Sequence, residues 1–403
     1  MKGFLSDCAQ RLYNKYGQEV SELYMIFPSR RSALFFNNAL SEIADRPLWQ
    51  PRTLSIDAVA EQISGLRSGD RIRLVAELFR IYSEFHPQEN FDTFYYWGEM
   101  LITDFDAIDK YMIDARMLLA NLSELREIDR ADYLTDEQKQ IIRRFWQSFA
   151  DREHLSRQQT EFIDIWRTLY PIYMRFRERL AELGIAYSGM MHRCAAEKIE
   201  SGESELLPQR RYAIVGFNAL SLCEKKIFDY LRREASVDFF WDYDSYYLDD
   251  TAQEAGTFIR ENLKLFPPSA PLAGGTDNFL KPKTINCISA PSSVMQCKYV
   301  HGFLEEIRER SGRPADRETA IILTDENLLR PLLHSLPESI ERINITMGYP
   351  LRGEVAYSLI ERLIELQNRR KTRSGSTVFY HSDVCGLLSH PLVAEQDTET
   401  CAE

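Results

Sequence analysis

The run Leu23-Tyr24-Met25-Ile26-Phe27, stopped by Pro28, constrains this chain more than any other feature. Five consecutive apolar residues leave no polar face, so the segment suits a strand buried on both sides, as in a parallel sheet. Parallel strands need a crossover, and the following residues supply one. Phe36, Leu40 and Ile43 recur at helical spacing within residues 30–44, with Ala33 and Ala44 on the same stripe. Thr53-Leu54 is a short strand candidate. Ser55 is a suitable N-cap for a helix over 56–63, with Asp57 in its first turn. A further helix is expected over 3–17.

From residue 68 to 205 the pattern turns helical. Tyr95–Lys110, Met112–Leu125, Thr135–Phe149 and Gln159–Leu183 carry helical spacing. Thr135 with Gln138 forms a capping box, and Gly184 is placed to close the long helix. Alternation returns at Tyr212-Ala213-Ile214-Val215, ended by Gly216. Ser221 caps a helix to Arg233, and Val237–Trp241 reads as the next strand. The Pro/Gly-rich stretch at 266–283 is a linker. Strands are then expected at Thr284–Ser289, Thr319–Leu323 and Ile343–Ile345. Helices are expected at Ser292–Arg308, Glu326–Leu336 and Glu354–Gln367. The 403 residues therefore divide, at about 150 per domain, into an α/β domain (1–67 plus 206–265), a helical insertion (68–205), the linker, and a second α/β unit (284–403) expected to be incomplete.

Split α/β units suggest a nucleotide-driven motor, but the chemistry for one is missing. A phosphate loop needs glycines, a Lys and a Ser/Thr, and no Gly-Lys-Ser/Thr occurs. Gly274-Gly275-Thr276 reads as a turn. The strand ending at Val215 runs into Gly216-Phe217-Asn218 rather than acids. Asp325-Glu326 follows a strand candidate but reads as an N-cap and first-turn charge. No Gly-x-Ser-x-Gly elbow is present. Glu137-Gln138-Lys139 and Glu224-Lys225-Lys226 have the short spacing of a PD-(D/E)XK nuclease but open helices rather than lie on strands.

Composition narrows the class further. Seven cysteines at wide spacings, without Cys-x-x-Cys, argue against a disulfide scaffold or zinc knuckle. The seven histidines show no metal-binding helical spacing. No cofactor is expected. No window is apolar enough for a membrane span, and the early charges exclude a secretory signal, so the expected address is cytoplasmic. The net charge of -12 argues against a general basic DNA coat, while leaving room for a local basic groove.

Several segments resemble AddB-like recombination proteins, of the PD-(D/E)XK nuclease family, whose N-terminal region is an inactivated superfamily-1 helicase. Residues 25–40 resemble helicase motif Ia. Residues 52–59 resemble the Thr-x-His-Ser segment that follows it. Residues 213–226 resemble the Walker B strand and helix, with Gly216 and Phe217 in place of the acids. Residues 285–307 resemble the start of the second motor domain, 320–330 resemble motif IV with Thr324 in place of an arginine, and 343–351 resemble the strand and turn that follow. The resemblance implies two RecA-like parallel-sheet domains, the first interrupted by the helical insertion. It implies a non-catalytic scaffold that holds DNA ends or single strands beside an AddA-like helicase-nuclease subunit in double-strand break repair. Family members carry a C-terminal nuclease domain, often with an iron-sulfur cluster; these cysteines offer no cluster spacing.

The DNA-binding candidates are Ser29, Arg30 and Arg31 at the first strand-to-helix turn, and Thr53 and Ser55 at the next. Backbone N–H groups and guanidiniums at such turns can hold phosphates. Arginine in a helix's first turn is unfavourable for the helix itself, which points to another use. Gly216, Phe217 and Thr324 mark the degenerate ATP site. Tyr95-Tyr96-Trp97 either stack bases or fill the core. Arg143-Arg144, Arg210-Arg211 and Arg369-Arg370-Lys371 are further basic spots, read as solvated faces, and 344–349 as a turn using positive φ at Gly348. The competing function is a protein-protein interaction module without DNA contact, favoured by the acidic charge.

Overall fold

A computed structural model of the chain describes residues 3–119, 157–203, 210–269, 277–316, 318–373 and 375–395. The helix and capping box expected at 135–149 lie outside these residues, as do Arg143-Arg144, Glu137–Lys139 and Gly274–Thr276. The chain divides into two units, residues 1–282 and 283–403.

The first unit is built on four parallel strands in the order β2-β1-β5-β6: β1 (Tyr24–Phe27), β2 (Arg52–Ser55), β5 (Arg211–Val215) and β6 (Ser236–Phe240). All four β1 residues are buried, as a strand covered on both faces requires. Met25, Phe27, Ala213 and Val215 face helices α1 (Phe4–Tyr16) and α2 (Arg30–Ile43), which contribute Cys8, Leu12, Phe36 and Leu40. Tyr24, Ile26, Tyr212 and Ile214 face the other way. There they meet α3 (Ile56–Ser64) and α9 (Leu222–Glu234) through Val59, Ile227 and Phe228. Ser221 and Glu224 close a reciprocal capping box on α9.

The helical segment shares that second core. Between a short parallel pair, β3 (Arg67–Ser68) and β4 (Ile185–Ala186), run α4 (Arg71–Phe85), α5 (Phe91–Lys110), α6 (Ala115–Leu119) and α7 (Arg157–Glu182). Then α8 (Ser188–Ser201) leads back to the sheet. Phe94, Phe105, Phe176 and Met190 join the cluster that includes Ile214 and Trp241, so the insertion and the sheet form one continuous apolar core. Gly184, at φ +66°, ends the stretch after α7, where a left-handed residue without a side chain fits. Gly189 lets α8 lie against α5: a Cβ there would sit 2.2 Å from the Asp106 carbonyl oxygen.

Polar groups tie this junction together. Asp109 of α5 is fully buried. It accepts hydrogen bonds from the Tyr173 hydroxyl at 2.5 Å and from the Tyr187 hydroxyl, with Arg177 at 3.5 Å and Arg193 at 3.4 Å. The Cys223 thiol of α9 donates to the Asp109 carbonyl at 3.3 Å. Groups from α7 and α8 thus converge on the α5 carboxylate, while α9 reaches the main-chain carbonyl of the same residue. Buried charges need such pairing.

The second unit holds α12 (Ser293–Ser311), α13 (Leu329–Leu333), α14 (Val355–Asn368) and α15 (His381–Leu388), with an antiparallel hairpin of β7 (Lys371–Arg373) and β8 (Ser376–Val378). Two short helices of the first unit, α10 (Ser245–Asp249) and α11 (Thr257–Leu265), precede them in the chain. Here the structure departs from the expected second parallel sheet. Residues 284–289, 319–323 and 343–345 form no ladder among the described residues. A buried parallel strand needs hydrogen-bonded neighbours and cover on both faces, whereas Ile285 is 79% and Ile322 86% exposed. The helices pack in local pairs instead, α12 on α13 and α14 on α15. Gly348 is not among the glycines with positive φ.

Candidate functional site

The strand order creates a specific crevice. From β1 the chain crosses to β2 through α2 on one face; from β5 it crosses to β6 through α9 on the opposite face. The crossovers therefore diverge between β1 and β5. In open α/β sheets, ligands bind outside the carboxyl ends of strands at such a switch point. Here that crevice is bordered by Pro28–Arg31 and Gly216–Asn218.

Ser29 caps α2: its Oγ accepts from the Ser32 amide at 3.3 Å and lies 3.0 Å from the Ser32 hydroxyl. Arg30 and Arg31 follow in the first helical turn. Both are exposed, and neither makes an ion pair among the described residues. The positive end of the helix dipole opposes them by a few tenths of a kcal/mol, and the first turn of α2 holds no acidic residue to offset that.

Parallel pairing sets Ser55 opposite Phe27 and Thr53 opposite Met25, so the second candidate turn adjoins the first along the same sheet edge. Ser55 caps α3 by accepting from the Ala58 amide at 3.2 Å, and Thr53 is exposed on the edge strand. The five sequence candidates thus divide between the turn and helix start that follow β1 and the adjacent strand β2. Asp57, in the first turn of α3, also accepts from Ser188 at 2.9 Å and from buried His192 at 2.8 Å. The His192 hydrogen bond holds the Asp57 carboxyl below the usual aspartate range. The sequence marks Asp57 only as a first-turn charge, because its partners lie about 130 residues away.

Across the crevice, Gly216 has φ +76°, a left-handed conformation that favours glycine, and its amide donates to the Phe240 carbonyl at 3.0 Å. Phe217 turns inward and meets Phe228 edge-on, ring centres 5.2 Å apart. Phe217 is therefore part of the hydrophobic core. Beside it, Asn218, Asp242, Tyr247 and Gly256 line a cleft of about 300 Å³. Its carboxylates repel phosphate. Asp244 at its rim is already used, accepting from the Tyr246 amide at 3.1 Å and the Phe279 amide at 2.8 Å.

Thr324 lies in the other unit. It is exposed, just before Asp325, whose carboxylate caps a short turn by accepting from the Asn327 amide at 3.0 Å. Tyr95 and Trp97 pack against the main core, whereas Tyr96 is 79% exposed. Among the other basic spots, Arg211 pairs with Glu19 at 2.6 Å and Arg369 with Asp383 at 3.2 Å. No group of three or more His, Cys, Asp or Glu side chains among the described residues could hold a metal ion. No helix among them is long and apolar enough to cross a membrane. No family model matches the chain, and no curated protein matches it.

Proposed function

We propose that the first unit is a degenerate RecA-like domain that binds nucleic acid without hydrolysing nucleotide: a DNA-holding scaffold of the AddB-like kind, acting in double-strand break repair beside a helicase-nuclease partner subunit. One observation carries the reading. Arg30 and Arg31 stand unpaired, among the described residues, at the crevice where a parallel sheet binds its ligands, in a chain of net charge -12. Their guanidiniums, the amides of the α2 first turn, Ser29 and the neighbouring Thr53 and Ser55 offer donors for successive backbone phosphates. Such contacts position a strand without reading its sequence. Across the crevice, Phe217 in place of a metal-holding acid supports binding without catalysis.

Phosphate contacts release counterions, so affinity for DNA ends or single strands should fall steeply with salt, by a log-log slope of about 0.7 to 0.9 per phosphate. Fluorescence anisotropy of a labelled oligonucleotide between about 50 and 300 mM NaCl measures this. Affinity that is independent of salt over that range counts against the proposal. The second reading, a protein-docking module without DNA contact, has its own support: Leu34 is 60% and Phe35 47% exposed on α2, beside the two arginines. A partner subunit on that face is compatible with both readings, and only DNA binding separates them.

A further inference from the structure

The opposite, amino-terminal edge of the same sheet carries a second cationic cluster with a different construction. Register places Arg52, Tyr24 and Tyr212 side by side, on β2, β1 and β5. The Tyr24 ring is the common platform. The Arg52 guanidinium lies 5.4 Å from its centre and the Arg210 guanidinium 4.3 Å, and the Tyr212 ring packs on it at 5.6 Å. Arg52 also donates to the Tyr24 hydroxyl at 2.6 Å, and a hydroxyl that accepts keeps its own proton to donate.

Two features of this cluster are unsatisfied. Neither Arg52 nor Arg210 makes an ion pair with a carboxylate among the described residues, although acids outnumber bases 61 to 49 in the chain. Like charges gathered on one ring repel each other, and cation–π attraction offsets only part of that. The Tyr212 hydroxyl is buried and has no hydrogen-bond partner among the described residues, beside the same platform. A buried polar atom without a partner is costly and uncommon. Both features are relieved by one kind of ligand, a multivalent oxyanion. It accepts from two guanidiniums and from tyrosine hydroxyls, in the fork geometry that arginine offers to phosphate.

We propose that Arg52, Arg210, Tyr24 and Tyr212 form a seat for a phosphate group. The group belongs either to a free polyphosphate anion or to the end of a nucleic-acid strand. The seat is separate from the Ser29–Arg31 turn and stands or falls independently of it.

Calorimetric titration of the full chain with inorganic pyrophosphate tests the seat directly. Binding is expected for the unaltered protein and at least about tenfold weaker for Arg52→Gln with Arg210→Gln. Arg210→Gln alone, which leaves the Arg52–Tyr24 hydrogen bond in place, serves if the double variant unfolds. A 5′-phosphorylated oligonucleotide compared with its 5′-hydroxyl counterpart identifies the source. A preference for the phosphorylated strand that the variants abolish assigns the seat to strand ends. Pyrophosphate binding without such a preference assigns it to a free anion. No pyrophosphate binding, or binding equally strong in the variants, overturns the proposal.

Discussion

Tyr212-Ala213-Ile214-Val215 and Ala320-Ile321-Ile322-Leu323 are nearly the same kind of sequence, yet they end in opposite environments. The first pairs on both sides, with β1 and β6, and is buried from Tyr212 onward. The second has no ladder among the described residues, and Ile322 is 86% exposed. An apolar run states what a segment would gain from a sheet, not whether a sheet is available. In the first unit the helical segment and the α1–α2 pair cover the two faces, and the strand follows. In the second, the helices cover one another.

That contrast can be broken or sharpened by substitution. All five tryptophans lie within residues 1–282, so their fluorescence during urea unfolding reports the first unit alone. The largest loss is expected from Asp109→Ala, about 3–5 kcal/mol, because the nearby Arg177 and Arg193 guanidiniums would lose their central counter-charge. A loss under about 1 kcal/mol would mean that the helical segment is not welded to the sheet there. Ile214→Ala should cost about 2–5 kcal/mol through lost burial and a residual cavity.

Asp238 gives a pH-dependent contrast. Burial alone would raise its carboxyl, but hydrogen bonds from Lys15, Ser269 and Tyr16 more than offset this and hold it below the usual range. A depressed folded value means the stabilisation is present above the unfolded aspartate value of about 3.9 and is lost as pH falls through the folded one. Asp238→Asn should therefore cost about 1.5–3 kcal/mol at neutral pH. It should also flatten the acid limb of the stability curve; an unchanged acid limb would remove Asp238 from that role. The smallest effect belongs to Ile322→Ala, within about 0.5 kcal/mol, read by amide exchange in the second unit. A loss comparable to Ile214→Ala would show that the 319–323 run is in fact buried.

The first unit was legible because local and tertiary signals agreed. Leu23–Phe27 with its Pro28 stop, the α2 stripe, Ser55, Ser221 and Gly184 each placed a boundary to within a residue or two. Thr53 and Ser55 could be named as candidates, but their adjacency to Arg30 and Arg31 comes only from strand pairing. The Asp109 cluster and the Asp57–His192 contact joined residues scattered over the chain, and no spacing rule reaches that far. The second unit was misread because its apolar runs matched the strand pattern, while strand formation depends on neighbours that a local pattern does not contain.

The central claim is that Arg30 and Arg31 hold a nucleic-acid backbone. It is tested most directly by anisotropy titration of a labelled single strand with the unaltered chain and with Arg30→Glu plus Arg31→Glu. The double reversal should weaken binding at least about tenfold and lower the salt slope by about two phosphates' worth. Tryptophan-monitored unfolding should stay unchanged, because both side chains are exposed and unpaired among the described residues. Equal affinity and an equal salt slope for the two proteins would contradict the claim.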